Sequence, residues 1–269
     1  MENKGVGIFD SGVGGLTVLK EIRKLLPGET LYYLGDTARV PYGNKSKDTV
    51  IRYSIQNTRF LLKRGIKLLV VACNTSSSYA MDTLRKEFPE LPIIGVIEPG
   101  SRQAIEASKS GHIGVIGTKA TIKSNAYKNT ISILDNKARV YQQACPLFVP
   151  IVEEGMHRSK FAHEIAKYYL EPIKKYHIDT LILGCTHYPL LSSVINNVMV
   201  NNVKLINSGK SVAKKVYEYL LGHNMLAKAG KGSVEFFVTD APEQFKKISR
   251  LLLSEDINDH IKEVVLEDE

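Results

Sequence analysis

Two short stretches of the chain decide its fold: LVVACNT at residues 69–75 and LILGCTH at residues 181–187. Each is a continuous apolar run of strand length that leads into a cysteine followed by a polar residue. Continuous apolar strands are buried on both faces, which is typical of parallel sheets covered by helices. We therefore predict an α/β fold in which each stretch is a strand with a cysteine at its carboxyl end.

A second pair of stretches repeats the pattern earlier in each half. They are GIFDS at residues 7–11 and GVIGT at residues 114–118, and each closes a strand with a small hydroxyl residue. The spacing to the cysteine is similar, 63 residues from Asp10 to Cys73 and 68 from Gly117 to Cys185. This repeat predicts two similar halves, although small residues also end strands by coincidence in α/β folds. Ligands bind at such carboxyl strand ends in open α/β sheets.

The rest of the chain alternates predicted strands and helices. Apolar runs predict strands at residues 6–9, 31–34, 67–72, 93–96, 113–116, 139–143, 180–183, 203–206 and 234–238. Helical apolar spacing predicts helices at residues 16–26, 51–62, about 76–88, 98–109, 161–175, 190–197 and 212–221. This alternation predicts mostly parallel sheets flanked by helices.

Composition narrows the class of protein. The 269 residues are 43% hydrophobic and 24% charged, close to the averages for soluble domains. No apolar run reaches the roughly 18 residues that cross a bilayer, and Met1–Lys4 leads directly into a strand without a signal-peptide core. Three widely spaced cysteines match neither a disulfide framework nor a zinc site. We therefore expect a cytoplasmic protein with reduced thiols, no metal and no membrane partner.

The formal net charge of +8 is compatible with nucleic-acid contact or with steering of an anionic substrate. The lysines are scattered along predicted helix faces and form no Arg-rich tract with interleaved aromatics. This distribution disfavours nucleic acid as a partner. A protein that binds a partner without catalysing a reaction remains the alternative to an enzyme.

Cys73 and Cys185 each lie between an apolar strand and a polar run that opens a helix, where free amides stabilise a thiolate. Cys145 follows a strand and precedes Pro146, so we interpret it as structural.

Moving an α-proton from one face of an amino acid to the other requires two groups on opposite sides. Paired thiols therefore predict a two-base racemase. A Cys–His hydrolase would need His187 as its base, and we interpret His187 as a proton-handling helper.

Three polar segments could complete the site. Asp10 opens the glycine-rich turn of residues 10–15, whose amides can hold a carboxylate and whose acid suits a substrate ammonium or a role beside a thiol. The segment at residues 35–44 is polar and loop-like, and its last four residues, PYGN at 41–44, taken alone are compatible with an ordinary turn. Glu153 and Glu154 are typical of a solvated acid pair at the start of a helix.

Six stretches together resemble the glutamate racemase family of bacterial cell-wall enzymes. They are GIFDSGVGGL at 7–16, GDTARVPYG at 35–43, ACNT at 72–75, GVIEP at 95–99, CPLFVP at 145–150 and GCTHYPL at 184–190. Their order along the chain matches the family, and no motif position departs from it.

The resemblance implies two pseudo-symmetric α/β domains, residues 1–97 plus 208–269 and residues 98–207, with the active site in the cleft between them. It implies interconversion of L- and D-glutamate without pyridoxal phosphate or metal, supplying D-glutamate for peptidoglycan synthesis. It also implies a homodimer. The first motif begins within ten residues of Met1, so we expect no activation by a cell-wall precursor through an N-terminal extension.

The resemblance further implies residue roles, with Cys73 acting on D-glutamate and Cys185 on L-glutamate. Asp10 and His187 would assist the respective thiols and contact the substrate, with Glu153 and Asp36 as further helpers. The remaining substrate contacts would be Ser11, Tyr42 and Gly43 for the distal carboxylate, Asn74, Thr75 and Thr186 for the α-carboxylate, and Thr118 as an additional candidate. Two alternatives remain open: aspartate racemase, a related two-cysteine fold, and a protein that binds and inhibits DNA gyrase, as reported for some family members.

Overall fold

The computed structural model describes residues 4–200, 203–228, 230–253 and 261–267. Met1–Asn3, the start of the segment without a signal-peptide core, lie outside the described residues. The predicted domain ranges 1–97 plus 208–269 and 98–207 also include positions outside them. Among the helices that are described, none combines the length and apolar character needed to span a membrane.

Two sheets form the frame, and all their strand pairs are parallel. The larger has the order β10-β9-β2-β1-β3-β4, and the smaller has the order β6-β5-β7-β8. The strands are β1 (Gly5–Asp10), β2 (Leu31–Gly35), β3 (Ile66–Val71), β4 (Ile93–Gly95), β5 (His112–Gly117), β6 (Arg139–Ala144), β7 (Thr180–Gly184), β8 (Lys204–Ile206), β9 (Val234–Val238) and β10 (Ile261–Glu263). The predicted α/β class with parallel sheets is confirmed.

Helices cover the faces of both sheets. They are α1 (Leu16–Leu25), α2 (Lys47–Lys63), α3 (Asn74–Tyr79), α4 (Met81–Glu87), α5 (Ile97–Ala107), α6 (Lys119–Lys123), α7 (Ala126–Leu134), α8 (Phe148–Glu153), α9 (Lys160–Lys174), α10 (Ser192–Met199), α11 (Ser208–Gly222) and α12 (Pro242–Leu253). Short 3₁₀ turns lie at Thr37–Arg39, Tyr42–Asn44 and Tyr188–Leu191. The region predicted as one helix at residues 76–88 forms two helices, α3 and α4, because the helix is interrupted at Ala80.

The larger sheet takes strands from both ends of the chain. Strand β9 lies in parallel register beside β2, with Leu31 opposite Val234 and Gly35 opposite Val238. The short strand β10 then pairs with β9 at the edge of the sheet. Strands β5 to β8 make the smaller sheet from the middle of the chain. Domain boundaries at 97/98 and 207/208 remain a prediction.

The repeated stretches occupy equivalent places in the two sheets. Strands β1 and β3 are neighbours, with Phe9 opposite Val71. Strands β5 and β7 are neighbours in the same way, with Gly117 opposite Gly184. Each cysteine therefore follows a central strand, beside the end of the strand that opens its half.

Candidate active site

A small cavity lies among the carboxyl ends of both sets of central strands and contains both thiols. Its lining residues are Ser11, Val40, Pro41, Tyr42, Gly43, Cys73, Asn74, Thr75, Thr118, Val149, Cys185, Thr186 and His187. The cavity therefore brings together both predicted bases and eight of the residues predicted to contact the substrate, whereas Asp10 lies outside its lining.

Cys73 is the residue that immediately precedes α3, as its sequence context predicts. Its Sγ lies 3.7 Å from the Ser11 Oγ, and the side chain is buried. Burial, followed by the negative charge of Asp10, raises the pKa of the Cys73 thiol to about 12, although hydrogen bonds with Ser76 and Ser11 oppose the rise. Desolvation in this closed site therefore outweighs the stabilisation that the amides of the short helix α3 give to the thiolate.

Cys185 stands at the start of a chain of three titratable groups. Its Sγ lies 3.8 Å from His187 Nδ1, and His187 Nε2 lies 3.1 Å from Glu153 Oε1. Burial alone lowers the pKa of His187, but the hydrogen bonds and negative charges of Cys185 and Glu153 outweigh it and raise this pKa to about 10. The arrangement places beside the sulfur an imidazole that favours its protonated form.

Glu153 occupies a different place from the one its sequence context indicates. It is the last residue of α8 rather than part of a helix start, and its carboxylate reaches His187 instead of solvent alone. Glu154 is exposed, as expected for a solvated acid. The contact between α8 and the 3₁₀ turn at Tyr188–Leu191 brings Glu153 to the site, and local sequence cannot predict such a contact.

Asp10 joins the two halves. It is fully buried, its Oδ2 accepts a 3.1 Å bond from the Gly12 amide, and its Oδ1 accepts a 3.3 Å bond from Thr186. Burial raises the pKa of Asp10 above its usual value, although the charge of His187 and the amides of the turn oppose this rise. Asp10 therefore acts on both thiol environments: its charge raises the pKa of Cys73, and its carboxylate binds Thr186, the neighbour of Cys185.

Tyr42 is held from behind by a polar network. Its hydroxyl donates to Asp36 and accepts a 3.1 Å bond from Asn57 Nδ2. Arg39 and Thr239 also bond to the Asp36 carboxylate. Asp36 does not line the cavity, so it contacts the site through Tyr42.

Hydroxyl and amide groups complete the floor of the cavity. Thr75 Oγ1 lies 3.0 Å from Thr118 Oγ1. This contact joins the start of α3 in one half to the start of α6 in the other. Asn74 Oδ1 accepts a 2.7 Å bond from the Tyr127 hydroxyl. Gly43 packs so closely on Thr118 that an added Cβ would lie 2.5 Å from the Thr118 Cβ.

Several residues at the site escaped sequence reasoning. Val40, Pro41 and Val149 line the cavity and lie within the family-like motifs, but their apolar side chains suggest no role in the chemistry. Tyr127 lies behind Asn74, and nothing in its local sequence signals that contact. Cys145, interpreted as structural, is fully buried and does not line the cavity.

Comparisons with known proteins agree along the whole chain. The family model for Asp/Glu/hydantoin racemases matches residues 14–216. A curated glutamate racemase from Geobacter metallireducens is 48% identical, and the match covers 99% of this chain and 98% of that protein. A solved glutamate racemase isoform from Bacillus anthracis is 39% identical, with a TM-score of 0.95 and 99% of each chain covered. The Francisella tularensis glutamate racemase, solved with D-glutamate, is 36% identical, with a TM-score of 0.93 and the same coverage.

Proposed function

The chain belongs to the Asp/Glu/hydantoin racemase family, and from that premise we propose that it interconverts L-glutamate and D-glutamate by passing the α-proton between Cys73 and Cys185. The observation that carries the proposal is one cavity lined by both thiols, each following a central strand of a different sheet. Relatives of this chain that carry the name glutamate racemase match it over nearly its full length, which favours glutamate over aspartate.

The surroundings of the thiols support a direction for each base. For L-glutamate, the Cys185 sulfur removes the α-proton, and the electron pair left on the α-carbon is delocalised into the adjacent carboxylate. Cys73, whose pKa is raised to about 12, delivers its proton to the opposite face and gives D-glutamate. His187 lies 3.8 Å from the Cys185 sulfur and exchanges protons there. For D-glutamate the two thiols exchange roles, and no other reactant is consumed.

The polar lining supports binding of both carboxylates. Asn74 and Thr75 offer amide and hydroxyl donors for the α-carboxylate, and the backbone amide of Thr186, whose hydroxyl already donates to Asp10, completes this set beside Cys185. Ser11 and the backbone amides of Tyr42 and Gly43 suit the distal carboxylate, since the Tyr42 hydroxyl itself donates to Asp36. Holding both ends fixes the α-carbon between the bases, which is a requirement of rapid proton transfer.

The product suits a role in the cell wall. D-Glutamate made by this enzyme would supply peptidoglycan synthesis in the cytoplasm, where the three free cysteines would stay reduced. The resemblance to the family also supports a homodimer.

The proposal is tested by incubating the purified protein with L-glutamate or L-aspartate in D2O, without any added cofactor. A two-base mechanism predicts that glutamate racemises and that newly formed D-glutamate carries deuterium at the α-carbon from the first turnovers. Unreacted L-glutamate remains protiated at that stage. Mass spectrometry after separation of the enantiomers measures both quantities.

Variants of the thiols separate mechanism from mere binding. Cys73→Ala and Cys185→Ala are each expected to lower the rate at least a hundredfold, the usual contribution of one acid or base. Cys145→Ala is the matched control and keeps the wild-type rate, since that thiol does not line the cavity. Full racemisation by either active-site variant would rule out the two-thiol mechanism.

The alternative functions give different results. Faster turnover of aspartate than of glutamate would favour an aspartate racemase. Salt-sensitive binding to DNA gyrase that survives loss of both thiols would favour a gyrase-binding protein.

A further inference from the structure

Tyr127 is a buried side chain that contacts the surroundings of both thiols. It lies on α7, and its hydroxyl donates a 2.7 Å hydrogen bond to Asn74 Oδ1, next to Cys73. Its ring packs behind Gly184, the neighbour of Cys185, where an added Cβ would lie 3.2 Å from a ring carbon. The Tyr127 side chain is fully buried.

The hydrogen bond fixes which end of the Asn74 carboxamide faces the cavity. A carboxamide has an acceptor oxygen at one end and a donor NH2 group at the other. Tyr127 occupies the oxygen, and no described residue bonds to Asn74 Nδ2, so the donor end is the free one at a residue that lines the cavity. A carboxylate only accepts hydrogen bonds. An Asn74 turned the other way would present an oxygen to it and would repel it.

We propose that Tyr127 is a positioning residue that holds the Asn74 carboxamide with its NH2 group toward the α-carboxylate of the substrate. This rests on the proposed function, because it requires a carboxylate in this cavity. Burial raises the pKa of the Tyr127 hydroxyl above its usual value, so the group keeps its proton and donates throughout the assay range. Tyr127 does not line the cavity, and its effect therefore passes through Asn74.

The test is the variant Tyr127→Phe, which removes the hydroxyl and keeps the ring. We expect KM for both glutamate enantiomers to rise about tenfold, the order of one hydrogen bond to a charged group. We expect kcat to change less than threefold, because the bond acts on substrate binding rather than on the thiols. The same substitution in an Asn74→Ala background is expected to change KM less than twofold, since the orientation of Asn74 is already lost.

Tyr188→Phe is the matched control. It also removes a fully buried hydroxyl, one that donates a 2.8 Å bond to the Cys145 carbonyl, and its effect on KM is expected to be the same in the wild-type and Asn74→Ala backgrounds. An unchanged KM in Tyr127→Phe, or an equal KM change in both backgrounds, would overturn the role of Tyr127.

Two further measurements keep the result interpretable. If Tyr127→Phe melts below the assay temperature, Tyr127→Met, which also lacks the hydroxyl, is measured in the same two backgrounds. A wild-type protein that does not racemise glutamate would refute the proposed function itself. An active wild type with an unaltered Tyr127→Phe would refute only the positioning role.

Discussion

Cys73 and Cys185 lie in opposite electrostatic surroundings. The Cys73 thiol is buried beside the negative charge of Asp10, and these effects raise its pKa to about 12. His187 Nδ1 lies 3.8 Å from the Cys185 sulfur, and the pKa of His187 is raised to about 10. The site therefore favours a retained proton on the Cys73 side and a positive charge on the Cys185 side, which supports the proposed removal of a proton from L-glutamate by Cys185.

The first prediction concerns Glu153, which together with Cys185 raises the pKa of His187. A folded-state pKa above the ordinary value of 6.5 stabilises the fold fully below pH 6.5, and this contribution is lost as the pH rises through about 10. Glu153→Gln is therefore expected to lower the free energy of unfolding by about 1–3 kcal/mol at pH 6 and by much less at pH 10. Chemical denaturation at both pH values measures this difference.

Glu154→Gln is the control for that measurement. It removes the same charge at the adjacent exposed position and is expected to have no pH-dependent effect on stability. A loss in Glu153→Gln that is equal at pH 6 and pH 10 would contradict the account of the His187–Glu153 pair.

At the scale of elements, the glycine-rich turn between β1 and α1 lets the two halves approach closely. A Cβ on Gly14 would lie 2.4 Å from Thr186 Oγ1 and 2.7 Å from His187 Nδ1. A Cβ on Gly12, two residues earlier, would meet only Val40 at an ordinary 3.5 Å. The same turn therefore contains one glycine that the contact with the other half requires and one that it does not.

The second prediction compares these two glycines. Gly14→Ala is expected to displace Thr186 and His187 and to lower kcat/KM about a hundredfold, the cost of roughly 1 Å of misplacement at a reacting centre. Gly12→Ala is expected to stay within about threefold of the wild type. Steady-state kinetics, with circular dichroism to verify folding, measures both variants, and equal activities would contradict the steric argument.

At the scale of the whole molecule, a groove of lysines adjoins the cavity. Gly43 lines both the cavity and this groove. The lysines come from both halves and are exposed: Lys45, Lys47, Lys119 and Lys123. No carboxylate in the part of the chain that the structure describes pairs with them. Combined with the net charge of +8, we expect this groove to concentrate anions beside the cavity.

The third prediction follows from that field, because glutamate carries a net negative charge at neutral pH. The double variants K45Q/K47Q and K119Q/K123Q are each expected to raise KM about threefold at low ionic strength with kcat unchanged. At 1 M salt, where the screening length is about 3 Å, the difference from the wild type should disappear. Initial rates over a salt series measure it.

The matched control is K128Q/K167Q, which removes two exposed lysines that do not line the groove. Its KM is expected to follow the wild type at every salt concentration. A KM increase in the groove variants that persists at 1 M salt would show a local structural effect instead of a field.

Much of the fold could be read from local patterns. The nine predicted strands correspond to β1–β9 within a residue or two, because a buried strand needs an unbroken apolar run whatever surrounds it. The short edge strand β10 was missed, since Ile261–Glu263 is mostly exposed and has no such run. The break at Ala80 was also missed, because apolar spacing continues across it.

The sequence by itself determined that two thiols stand at the carboxyl ends of equivalent strands, because strand, turn and helix start are encoded by neighbouring residues. Only the tertiary structure decided which groups surround each thiol. Glu153 reaches His187 across 34 positions and Tyr127 reaches Asn74 across 53, and such contacts depend on how the sheets and helices pack. The same packing buries Cys73 beside Asp10, and the resulting desolvation outweighs the effect of the helix amides on the pKa of this thiol, since desolvation is a property of the assembled fold.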